Sequence, residues 1–186
     1  MFKLVLLIAL SVFSLKLLAT NQHVHGQGKL LIAQDGQDWQ LEFVIPMADL
    51  LGFEHVAETA QQKNSIDALI KKIENVSEVL SLSETCSLIS VQHSLDDMHP
   101  SHEHASHDSY MHEHKHDHDH KHEDEHAHKD VSITYVYACE SEVELINIKV
   151  FEWAKSLEKL NAQWITNQGQ GSTMLTASST TLRLGS

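Results

Sequence analysis

Six histidines, His112, His114, His116, His118, His120 and His122, occupy every second position of a stretch with no hydrophobic periodicity. That stretch, residues 96–130, also carries eleven acidic residues and three lysines, so it contributes −8 of the chain's formal charge of −13. Such a sequence cannot bury enough apolar surface to offset its ordering entropy, and it is expected to stay disordered without metal. A fold has to be built from its two flanks. With 186 residues, 41% of them hydrophobic, the chain suits one globular domain over residues 20–186, interrupted by this loop.

The amino terminus reads as a separate unit. Met1, Phe2 and Lys3 precede an apolar run over residues 4–15, and Lys16, Leu17, Leu18 and Ala19 lead into polar Thr20, Asn21 and Gln22. This is the pattern of a secretory signal peptide over residues 1–19. A membrane anchor is the competing reading, but a span needs about 20 apolar residues and Lys16 interrupts this run. No later stretch is long enough to cross, so an exported, soluble mature protein is expected. The acidic balance and the lack of a Lys/Arg cluster argue against a nucleic-acid partner and favour cations, metal ions among them. In an oxidising compartment the 2 cysteines, Cys86 and Cys139, are expected to form one bridge. They bracket the histidine tract and would staple the base of its loop.

The flanks carry strand signals and one strong helix signal. Residues 28–33 (GKLLIA) and 39–45 (WQLEFVI) are strand-like on either side of the turn chemistry of QDGQD, which predicts a hairpin. Pro46 closes the second strand, and residues 47–51 have room for one helical turn that Gly52 ends. Thr59 and Gln62 have capping-box spacing, and Ile66, Leu69, Ile70, Ile73, Val76 and Leu80 follow at helical intervals. Residues 86–92 and 131–139 read as neighbouring strands flanking the loop, and residues 145–151 as another. Residues 152–160 are helix-prone, and residues 164–166, 173–176 and 180–184 finish the chain as short strands. Runs of strands with one long helix predict an α+β domain, mostly antiparallel, of about eight strands. The pattern does not distinguish sandwich, barrel and open sheet.

Imidazole binds zinc, copper and nickel in its neutral form, which dominates at pH 7. The tract offers His99, His102, His104, His107, His112, His114, His116, His118, His120, His122, His126 and His128 as ligands, so many overlapping four-ligand sets exist and several ions can be held. Because ligation needs the neutral ring, acid is expected to release them. Two H-E-x-x-H matches, residues 112–116 and 122–126, follow from the composition, and no amphipathic helix seats them as a zinc-protease motif would require. Residues 102–107 (HEHASH) have Ser106 where a metallo-hydrolase pattern needs aspartate. No G-x-S-x-G, phosphate loop or Cys-His nucleophile pair occurs, so no catalytic residue is assigned and an enzyme is not expected.

The histidines outside the tract are few and placed differently. His23 and His25 stand on the same side of an extended HVHG and can chelate one ion, and Glu54 and His55 in GFEH supply two further donors. Three histidines and a carboxylate suit a tetrahedral zinc shell. His93 and His99 stand at the root of the loop as completing ligands.

The opening HVHGQGKL, the stretch IPMADLLGFEHV, a cysteine on each side of an acidic histidine-rich insert, and YVYAC together resemble the ZrgA family of periplasmic zinc-binding proteins of Gram-negative bacteria. The resemblance runs through nearly the whole mature chain. It implies export to the periplasm, zinc as the metal, and an accessory part in high-affinity zinc uptake beside the zinc ABC importer. His23, His25, Glu54 and His55 sit at motif positions of the resemblance; assigning them as the ordered site is an inference from their chemistry.

The expected function is capture of Zn²⁺ by the loop, retention by the ordered site, and delivery to a zinc ABC importer or its periplasmic binding protein. Two alternatives make different demands. A metal buffer or detoxification sponge needs high capacity and no partner. A zinc metallo-hydrolase needs fixed ligands, an open coordination position and a general base, for which Glu54 is the only candidate in the ordered set. Preference for zinc over copper or nickel, the number of ions and the oligomeric state are left open by the sequence.

Overall fold

The computed structural model describes residues 24–95 and 129–184. The proposed signal peptide, His23 and the twelve tract histidines lie outside the described residues. Among the described residues, nine strands in two sheets and few helices make up the fold.

β1 (Gln27–Asp35) and β2 (Asp38–Pro46) form the expected hairpin, with Asp35 opposite Asp38 and Gly36 at φ 60°, a left-handed turn position that glycine enters without Cβ strain. Both strands alternate buried and exposed residues, so one face is core. Pro46 leads into the short helix α1 (Met47–Leu51), which Gly52 ends at φ 81°. α2 (Ala60–Glu74) begins at a complete capping box: the Thr59 side chain accepts from the Gln62 backbone N–H, and the Gln62 side chain accepts from Thr59 N–H.

The helix stops earlier than its apolar pattern predicts. Asn75 Nδ2 donates to Glu78 and Ser77 Oγ donates to Asn75 Oδ1, local bonds that compete with the helical ladder. The chain tightens into a 3₁₀ turn over Val76–Glu78 and then β3 (Leu80–Ser81). Leu80, which continues the helical stripe in sequence, is a buried strand residue. This two-residue strand raises the count from the expected eight to nine.

β4 (Cys86–His93) and β5 (Asp130–Cys139) are antiparallel neighbours on either side of the insert. β6 (Leu145–Ile148) gives way to a 3₁₀ turn at Val150–Glu152. The helix expected over residues 152–160 does not form, because β7 (Lys159–Thr166) starts there and pairs parallel with β1. Leu160 is fully buried beside Gly28, where an added Cβ would meet Leu160 at 2.8 Å. Burial against a sheet overrides local helix preference at this point. β8 (Gly169–Thr176) and β9 (Thr181–Arg183) complete the chain.

The larger sheet has the order β4-β5-β2-β1-β7-β8 and the smaller β3-β6-β9. Leu30, Leu41, Phe43, Ile133, Tyr135 and Leu160 line the inner face of the larger sheet. α2 contributes Ile66, Leu69 and Ile73 to the same core, and the Tyr135 hydroxyl donates to the Ile73 carbonyl at 2.9 Å, tying helix to sheet.

The register also relocates the disulfide. Cys86 and Cys139 are paired and bonded, as the sequence suggests, but Cys86 pairs with Cys139 at one end of the ladder and His93 with Ile133 at the other. The insert leaves from the His93 end. The bridge therefore staples the end of β4 and β5 remote from the loop rather than its base.

Candidate metal centre

β1 begins and β2 ends at the same end of the larger sheet as the insert's two roots. The reason is the register: Lys29 pairs with Val44, Pro46 with Asp130, and β4 ends at His93 opposite Ile133. At the first root, Ser94 N–H donates to the Ser132 carbonyl and Leu95 is fully buried. At the second, Lys129 accepts from the Met47 N–H at 2.9 Å. The insert thus opens beside α1.

α1 carries the buried carboxylate of this corner. Asp49 is 7% exposed, and its Oδ2 accepts from Gly26 N–H at 2.6 Å. A short bond to an ionised acceptor is a strong one, and it pins the segment before β1 against α1. Gly26, at φ 77°, also accepts from Glu158 and Lys159 N–H through its carbonyl, so the residue is held from both sides.

His25 is consequently placed between two acids. Its Nδ1 lies 4.0 Å from Asp49 Oδ1 and its Nε2 lies 3.5 Å from Glu54 Oε1. The imidazole is 57% exposed while Glu54 is 20% exposed, so the ring faces solvent and the carboxylates stand behind it. Opposite nitrogens serve the two acids. A cation on Nε2 would share Glu54, leaving Asp49 on the Nδ1 side, where an outer carboxylate orients a metal-bound imidazole and increases its basicity.

His55, next in sequence to Glu54, is turned to other partners. Its Nδ1 contacts the Val56 carbonyl at 2.8 Å and its Nε2 contacts the Gln62 amide at 3.3 Å. Both contacts fit the neutral ring with the proton on Nδ1. Phe53 lies against the same ring with centroids 5.4 Å apart. Since Gln62 is also the capping-box residue, His55 is held by the start of α2.

Of the four ordered-site residues expected from sequence, the structure brings His25 and Glu54 together, turns His55 toward Gln62, and does not describe His23. His25 sits in a turn, where Gln27 N–H donates to the Val24 carbonyl at 3.0 Å and Gly26 takes a positive φ, and not on the extended segment that HVHG suggests. His93 is the last residue of β4, at the insert's root. Among the described residues no group of three His, Cys, Asp or Glu side chains is arranged to hold a metal ion. A complete shell at His25 and Glu54 thus needs donors brought from elsewhere in the chain.

Asp49 is the residue that sequence reasoning missed. An acid in the first turn of a helix has an ordinary explanation in the helix dipole, which hid it. Its usable signal was its place between Pro46 and Gly52, where a buried turn leaves a carboxylate needing a partner.

No curated protein matches this chain. A family model described as ZrgA family zinc uptake protein matches residues 22–184, which include the HVHG segment, α1, GFEH, both cysteines and the insert.

Proposed function

Because this chain belongs to the ZrgA family of zinc uptake proteins, we propose that it is a periplasmic zinc carrier in which the histidine-rich insert collects Zn²⁺ and the His25–Glu54 corner retains it. Zinc is the cargo. His23, two residues before His25 in sequence, and His55, once it exchanges the Gln62 amide, supply the further donors of a four-ligand shell. Asp49 serves behind His25 as the orienting carboxylate.

The observation that carries this reading is the common location of the insert's roots and the corner. Lys129 accepts from Met47, two residues before Asp49, and Asp49 accepts from the residue after His25. An ion passed down to either root of the insert arrives beside the retaining site. Many tethered ligands raise the effective concentration of metal there, while fixed ligands bind with less ordering cost.

Delivery then goes to the zinc ABC importer or its periplasmic binding protein. Mixing the zinc-loaded protein with the metal-free binding protein of a zinc importer tests this step. A transfer rate that rises with acceptor concentration above the spontaneous release rate supports handover. A rate equal to spontaneous release at every acceptor concentration would leave a sponge as the better description.

A further inference from the structure

β8 is the outer strand of the larger sheet, and among the described residues it has no second neighbour in that sheet. Such an edge presents unpaired backbone donors and acceptors to any strand that can approach. Natural sheets protect edges with charges, proline or bulges. None of these devices is present on β8. Its register with β7 runs without a break from Lys159 opposite Thr176 to Thr166 opposite Gly169. No charged residue and no proline occurs between Lys159 and Arg183, in a chain where 21% of residues are charged. Exposed Ile165 and Met174 add apolar surface on β7 and β8.

The opposite edge is treated differently. β4 has a register shift between Leu88 and Ser90, which interrupts its ladder. It also runs directly into the acidic insert. One edge of the sheet is therefore broken and charge-flanked, and the other is regular and neutral.

From this asymmetry we infer that β8 pairs antiparallel with β8 of a second copy, joining two larger sheets into one. The second copy is favoured by charge. Two chains of formal charge −13 repel over most approaches, and the edge between Lys159 and Arg183 is a place where they meet without opposing like charges. Antiparallel pairing adds a further separation. The insert leaves at the sheet end where β7 begins and β8 ends, and a two-fold axis through β8 sends the partner's insert roots to the other end. The two pairs of insert roots then lie at opposite ends of the joined sheet.

Sedimentation velocity of the full mature protein, with chelator present throughout, tests the inference. Dimer mass at tens of micromolar is expected, with Ser172→Lys weakening self-association at least tenfold because the two lysines approach across the two-fold axis. Gln170→Lys serves the same purpose should Ser172→Lys fail to fold, and Ser87→Lys on the β4 edge is expected to leave association unchanged. A monomer at every concentration up to about 100 μM would overturn the inference. So would a dimer that withstands both β8 lysines, or one that Ser87→Lys dissolves.

Discussion

Lys129 and Met47 share a backbone hydrogen bond of 2.9 Å, which fastens the returning end of the histidine-rich insert to the helix that carries Asp49. Two residues on, Asp49 holds Gly26 and stands beside His25. The part of the chain that has no hydrophobic pattern is thereby joined, through a few hydrogen bonds, to the part that carries His25 and Glu54.

Asp49 holds Gly26 in the fold, and the proposed carrier function gives it a second role behind His25 that substitutions separate from the first. Asp49→Ala removes the acceptor of a buried N–H, so it is expected to lower stability by about 1–3 kcal/mol in urea unfolding. It is also expected to weaken zinc retention by about 10–100-fold through loss of the outer carboxylate. Asp49→Asn keeps an acceptor for Gly26 N–H, so stability falls less while zinc still weakens. Equal zinc affinity in wild type and Asp49→Asn would remove Asp49 from the site.

Glu54 and His55 are neighbours with unequal parts. Glu54→Gln takes away the carboxylate nearest His25 Nε2 and is expected to reduce retention more than His55→Ala, because His55 must first give up Gln62. Gln62→Ala breaks the capping box and is expected to cost about 1 kcal/mol in α2. Freed from the amide, His55 should then bind at least as well as before. Competitive zinc titration of the three variants gives the ranking, and a larger loss with Gln62→Ala than with Glu54→Gln would contradict it.

The disulfide is predicted to be a matter of stability alone. Cys86 and Cys139 are 53 residues apart, and closing a loop of that size stabilises by roughly 4 kcal/mol in the chain-entropy model. Because the bridge lies at the strand ends remote from the insert, Cys86→Ser with Cys139→Ser should lower the unfolding midpoint yet leave zinc stoichiometry unchanged at low temperature. Calorimetric zinc titration of the oxidised protein and the double variant checks both halves.

Alkaline pH should unfold the protein through its buried tyrosines. Burial pushes the Tyr135 hydroxyl well above its ordinary value near 10 and that of Tyr137 up to about 12. In the unfolded chain both ionise near 10, so the folded state holds more protons above that pH. Their contribution is complete below pH 10 and is lost as pH rises from there toward 12. Tyr137→Phe is the cleaner test, since Tyr135 also donates to Ile73. Its stability should decline less steeply over that interval than that of wild type in urea titrations at successive pH values.

Much of the fold was legible wherever local chemistry and burial agree. The QDGQD turn, the Thr59–Gln62 box and the alternation of β2 and β5 each have one satisfactory structural solution. Legibility failed where a tertiary partner decides. Leu80 continues a helical stripe but is taken by β6, and Lys159 and Leu160 suit a helix but are taken by β1. The cysteines bracket the insert in sequence, and only the register reveals that they lie at its far side. At the candidate centre, His25 and Glu54 were readable as donor types, whereas Asp49 became visible only once Gly26 was seen to need its oxygen.

Competitive zinc titration of residues 20–186 beside a version that also lacks residues 99–128, with a chelator of known affinity, decides whether the His25–Glu54 corner holds zinc. Total capacity is expected to fall while one tight site survives the deletion, and Glu54→Gln in the shortened chain is expected to remove that site. Loss of all tight binding on deletion would make the insert itself the receptor and leave the His25–Glu54 corner holding nothing.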